Sequence, residues 1–108
     1  RQGGAFMAWQ AVAEAAAGAA DEAIGVTVGS AQIAIVNDGE RLYALDNVCT
    51  HQYALLSDGF VEDGCIECPL HQGRFELATG KAMCAPVTTP VRVYPVKVEG
   101  GKVYVDLG

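Results

Sequence analysis

Ile24-Gly25-Val26-Thr27-Val28-Gly29-Ser30-Ala31-Gln32-Ile33-Ala34-Ile35-Val36 reads as two strands around a tight turn. β-Branched residues dominate both halves, and Gly29-Ser30 suits a two-residue hairpin connection. Working outward, Asn37-Asp38-Gly39-Glu40 marks a second turn, since asparagine, aspartate and glycine tolerate positive φ. Leu42 to Leu45 returns as a third strand and delivers the chain to Cys49. Further on, Leu55 to Gly59 reads as a turn or a single helical turn. Phe60–Glu62 and Cys65–Glu67 read as short strands joined through Asp63-Gly64, and Arg74–Leu77 as another, closed by Thr79-Gly80. Prolines 86 and 90 make 85–90 an extended, stiff loop. Val91–Tyr94, Val96–Val98 and Val103–Leu107 complete the strands, the last two joined through Gly100-Gly101. On the N-terminal side, Trp9–Ala13 is a candidate first strand. Ala11–Glu22 has helical propensity, but Gly18 interrupts it and it carries no apolar stripe, so a loop is equally expected. The pattern is all-β, with many short strands and glycine turns, in a small sandwich or barrel.

The chain has 108 residues, 51% of them apolar, enough for one core and one domain. No apolar run approaches the ~18 residues of a membrane span. The N-terminus lacks a basic region followed by an apolar one, so no signal peptide is expected and a cytoplasmic location follows. The first methionine is Met7, and residues 1–6 read as an expression scar ahead of a domain at 7–108. Thirteen acidic against seven basic residues give a net charge of −6. That disfavours nucleic acid and anionic membrane as partners, and it would draw a basic patch on a partner protein.

Chemistry is concentrated in Cys49-Thr50-His51 and Cys68-Pro69-Leu70-His71, which hold both histidines of the chain. Thiolate and imidazole together suit zinc, or iron in a mixed-ligand cluster. Zinc sites usually pair cysteines at C-x₂₋₄-C and histidines at H-x₃₋₅-H. Here each loop gives one sulfur and one nitrogen, which fits a binuclear iron centre better. The two thiolates would take one iron, the two imidazoles the other. Zinc remains the alternative.

These segments, with Gly73-Arg74-Phe75 and Thr79-Gly80, resemble the Rieske [2Fe–2S] proteins, above all the stand-alone ferredoxins of bacterial aromatic-ring dioxygenase systems. The resemblance runs from about Trp9 to Leu107. It implies one [2Fe–2S] cluster held by Cys49, His51, Cys68 and His71, the histidines through Nδ1. It also implies an antiparallel β-sandwich with a cluster-binding subdomain inserted at about 47–84. Such a protein is not an enzyme. It would pass single electrons from an NAD(P)H-dependent flavoprotein reductase to a Rieske non-haem iron oxygenase, with no small-molecule substrate of its own. A small subunit like that of nitrite reductase, or another Rieske subunit of a larger oxidoreductase, is the runner-up. An oxygenase is excluded, because a 2-His-1-carboxylate iron site needs histidines already used. Respiratory Rieske proteins carry an extra cysteine in each loop and hydroxyls after the second. Here the corresponding positions are Ala54, Leu70, Gly73 and Phe75, which implies a low potential.

Outside the motif, Cys65 and Cys84 read as packing residues, with a disulfide between them left open. Tyr53, Leu55, Leu70 and Pro86 are candidates for an apolar collar around the site, and Gln52 and Gln72 for a docking face. Trp9 reads as a core anchor.

Overall fold

In the computed structural model the described residues are 9–14, 20–50, 54–69, 73–84 and 89–107. They form β1 (Trp9–Glu14), β2 (Glu22–Val28), β3 (Ala31–Asn37), β4 (Leu42–Asp46), β5 (Phe60–Glu62) and β6 (Cys65–Glu67). After these come β7 (Arg74–Glu76), β8 (Ala82–Cys84), β9 (Val93–Tyr94), β10 (Val96–Glu99) and β11 (Lys102–Asp106). A 3₁₀ turn at Leu56–Asp58 precedes β5. All pairing is antiparallel, in three sheets ordered β1-β11-β10, β2-β3-β4-β9 and β5-β6-β7-β8.

Strand β3 decides how the sheets stack. It buries four consecutive side chains, Ile33-Ala34-Ile35-Val36, whereas a half-exposed strand would alternate apolar with polar. Ile33 and Ile35 join Ala44, Tyr94, Val103 and Val105 in one core. Ala34 and Val36 join Leu45, Leu56, Ile66, Phe75 and Leu77 in another. The β2-β3-β4-β9 sheet is therefore a middle layer, with the β10-β11 hairpin on one side and the β5–β8 sheet on the other. Among the described residues no α-helix is formed, and no helix is long and apolar enough to cross a membrane.

The turns expected from sequence form for the reasons expected. Asp63-Gly64 and Gly100-Gly101 take positive φ at both central positions (53° and 75°, 57° and 78°), the backbone of a two-residue hairpin turn that follows strand twist. In 37–41 the Asp38 carboxylate accepts the Glu40 and Arg41 amides, both at 2.9 Å. Those amides hold its pKa below the ordinary carboxylate value.

Three local expectations differ from the structure. Residues 11–14 of the alanine-rich stretch are strand, because β1 pairs along β11 from Trp9↔Asp106 to Glu14↔Lys102; residues 15–19 lie outside the described residues. Val91 and Arg92 precede β9 and are not part of it. β8 was not foreseen, since Lys81-Ala82-Met83-Cys84 has no alternation to mark it; it forms by pairing with β7. Trp9 is half-buried, with the Lys97 ammonium 4.6 Å from its ring centroid.

Tyr94 ties the middle sheet to its own edge. Its hydroxyl donates to Asp46 Oδ1 at 2.5 Å, and the Arg92 guanidinium lies over its ring at 4.6 Å. Burial, and next the Asp46 carboxylate, push its pKa up to about 12. The folded state thus holds the phenolic proton more tightly than the unfolded chain, whose tyrosine titrates near 10. This contribution is intact below about pH 10 and is lost as pH rises towards about 12. Thermal unfolding midpoints should fall across that window, and Tyr94→Phe should flatten the fall.

Candidate metal centre

Each cysteine of the motif sits at the base of a hairpin loop, and the two loops are closed in the same way. The Cys49 amide donates to the Ala54 carbonyl at 2.9 Å, and the Cys68 amide donates to the Gly73 carbonyl at 2.7 Å. In each case the acceptor lies five residues beyond the donor. The first closure continues the isolated bridge Val48↔Leu55, and the second continues the β6–β7 pairing at Glu67↔Arg74. The chain is therefore closed in the same way on both sides of the two motif segments, at Cys49–Ala54 and at Cys68–Gly73.

Both cysteines point into the same place. Cys49 is 3% exposed, Cys68 is fully buried, and both belong to the core that contains Phe75, Ile66, Leu56 and Val91. Two thiols at matched positions in one apolar core suit a soft metal group that needs sulfur ligands and shelter from water. His51 and His71 lie outside the described residues, so sequence position alone places them, each within one of the two loops. Gln52, Tyr53, Leu70, Gln72 and 85–88 (Pro86 included) also lie outside. Of the collar candidates, Leu55 is described; it is half-buried in the bridge to Val48.

Residues outside the motif brace its two segments. The Thr50 hydroxyl donates to the Thr89 carbonyl at 2.7 Å, tying the first loop to the segment after the 85–88 stretch. At the second loop, Arg74 bridges Glu67 at 3.2 Å and Glu62 at 3.3 Å, across the strands that carry Cys68. Sequence reading assigned none of these bonds, because each joins residues whose pairing appears only once the strands are in register. The outer face beside this loop is acidic. A cleft lined by Asp21, Glu62, Asp63 and Glu67 lies against Phe60, a residue 64% exposed. Cys65 and Cys84 are separated by β7. Two strand spacings put their backbones roughly 10 Å apart, beyond the ~7 Å that a disulfide spans.

Residues 8–95 match the Rieske [2Fe-2S] domain. The chain belongs to the Rieske [2Fe–2S] family. It is 52% identical over 86 residues to the ferredoxin component of a naphthalene 1,2-dioxygenase system from Pseudomonas aeruginosa, covering 80% of this chain and 83% of that protein. The fold is similar to that of a ferredoxin from Sphingomonas yanoikuyae B1, with a TM-score of 0.87 and 34% identity over 92% of this chain and 98% of the other. It is similar, too, to a chain in the complex of reduced oxygenase and oxidized ferredoxin of carbazole 1,9a-dioxygenase. There the TM-score is 0.85 and the identity 36%, over 94% of each chain. The cofactor of this Rieske protein is a [2Fe–2S] cluster, and the buried cysteine pair fits it.

The base of the second loop allows no side chain at Gly59. A Cβ there would lie 1.9 Å from the carbonyl oxygen of Glu67, the residue before Cys68. Gly59→Ala must push β6 aside, a cost of about 1–3 kcal/mol by analogy with overpacked cores. Its thermal midpoint and its iron content per chain should both fall. Wild-type iron content in a destabilised Gly59→Ala protein would show that β6 can move without disturbing the site.

Proposed function

We propose that this protein is a soluble, cytoplasmic one-electron carrier. It takes electrons from an NAD(P)H-dependent flavoprotein reductase and delivers them to a Rieske non-haem iron oxygenase. Cys49 and Cys68 supply the two thiolates for one iron, and His51 and His71 the two imidazoles for the other. When bound, the [2Fe–2S] group supplies a one-electron couple. Residues 47–84 act as a cluster-binding insertion in a single domain at 7–108. The protein transforms no substrate itself, and the likeness to dioxygenase ferredoxin components favours this reading over a nitrite-reductase-like subunit.

The observation that carries the reading is the pair of matched loops delivering both cysteines into one core beside Phe75. Buried among apolar side chains, the thiolates are kept from water and from competing ligands. Phe75 is fully buried in that core and brings no hydroxyl. Hydrogen bonds to sulfur favour the reduced, more negative state and raise the potential. Without one from position 75, the potential should lie at the low end of the Rieske range, about −150 mV. That suits transfer from a reduced flavin. The acidic face at Glu62, Asp63 and Glu67 suits a partner with a basic rim, whose approach it would speed.

Potentiometric titration of the visible spectrum tests the assignment. The expected result is a reversible one-electron couple near −150 mV, unchanged with pH around neutrality, and raised in Phe75→Tyr. A potential well above zero that falls as pH rises would overturn it. In an assay reconstituted with reductase and oxygenase, His51→Ala and His71→Ala should each abolish turnover. Full turnover by either would remove that histidine from the ligand set.

A further inference from the structure

The first ligand loop is secured by a buried amide that metal binding alone does not call for. Asn47 is 3% exposed, an uncommon burial for asparagine, which must then satisfy every polar group it brings. Its backbone N–H donates to the Gln32 carbonyl of β3 at 2.9 Å, and its carbonyl accepts the Leu56 amide at 2.6 Å. Its side-chain Oδ1 accepts the Ser57 amide at 2.7 Å, and Nδ2 donates to Ser57 Oγ at 3.0 Å. Asn47 precedes the loop and Leu56-Ser57 follow it. One residue thus joins both ends of the loop to each other and to the middle sheet.

Space for this arrangement comes from the neighbouring strand. A Cβ on Gly25 of β2 would stand 2.8 Å from Asn47 Nδ2 and 3.0 Å from Ser57 Oγ. Only a hydrogen fits.

The two loops differ in what else supports them. The second continues a three-residue ladder between β6 and β7, backed by the partly solvated Arg74–Glu67 ion pair. Among the described residues, the first has the isolated Val48↔Leu55 bridge as its strand pairing, with the Thr50–Thr89 bond beyond the closing bond. Hydrogen bonds withdrawn from water lose more when broken than exposed ion pairs do. The clamp therefore takes the place of the missing ladder.

We propose that Asn47, seated against Ser57 and Gly25, is the positioning residue of the first ligand loop, holding Cys49 in place whether or not metal is bound. The proposal rests on the reading of Cys49 as a ligand. It is tested on the purified, cluster-bearing protein with Asn47→Ala, Ser57→Ala and Gly25→Ala. The readouts are the decay of visible absorbance in excess chelator and amide hydrogen exchange at Cys49, Cys68 and Ile35. In Asn47→Ala the absorbance should decay about tenfold faster, the effect of about 1.4 kcal/mol of lost buried hydrogen bonding. Exchange at Cys49, whose amide bonds Ala54 and not Asn47, should accelerate, while Cys68 and Ile35 stay as in the wild type. If Asn47→Ala does not fold, Ser57→Ala and Gly25→Ala carry the same expectation, because each disturbs one side of the clamp. Equal acceleration at all three amides, or exchange at Cys49 unchanged in every folded variant, would overturn the proposal. A colourless wild-type protein would defeat the ligand assignment, and the exchange pattern would still decide this one.

Discussion

Everything in this structure depends on a middle sheet that must be covered on both faces. Ile33 and Ile35 face one core while Ala34 and Val36, between them in sequence, face the other. Each of the larger side chains gains about 1.5–3 kcal/mol from burial. Leaving either face in water would therefore forfeit a large share of the marginal stability of a domain this size. One face is closed by the β10-β11 hairpin. The other needs a lid, and the segment between β4 and β9 folds into it. Cys49 and Cys68 belong to that lid, so both are positioned by the same core that buries Ala34 and Val36.

Placing two cysteines inside a core has a chemical consequence. A surface loop could offer the same donors with less constraint, but water would reach them. Here the two cysteines are buried in one core with Phe75, Ile66 and Leu56, and the loop closures fix the backbone at both cysteines. The apolar shell and the pattern of hydrogen bonds to sulfur are the protein's means of setting a cluster's potential. The apolar shell is read here from a handful of residues: a phenylalanine where a hydroxyl could stand, and cysteines with almost no exposed surface.

Much of this is legible in the sequence. The hairpins at Gly29-Ser30, Asp63-Gly64 and Gly100-Gly101 were readable because turn chemistry is local, fixed by residues that tolerate positive φ. The motif was readable because its donors stand at short, fixed spacing. What escaped was non-local. β8 is too short and irregular to signal itself and exists because β7 offers it an edge. Val91 and Arg92 have the composition of a strand yet form none. The polar bonds around the first loop were invisible, since no pattern announces that an asparagine will be buried against a serine and a glycine of another strand. The apolar run of β3 stands in the sequence, but the three-layer stacking was not read from it, because composition alone does not reveal which elements cover its two faces.

The two cores are separate bodies sharing one wall. Cys49 and Cys68 contribute to one of them and to none of the other, where Ile33, Ile35, Tyr94, Val103 and Val105 meet. The shared wall also couples them: loosening the core that holds the two sulfurs would uncover Ala34 and Val36 on one face of β3 and so weaken the strand whose other face carries Ile33 and Ile35. Order at the sulfurs and stability of the inner sandwich are therefore one property, set by a single strand.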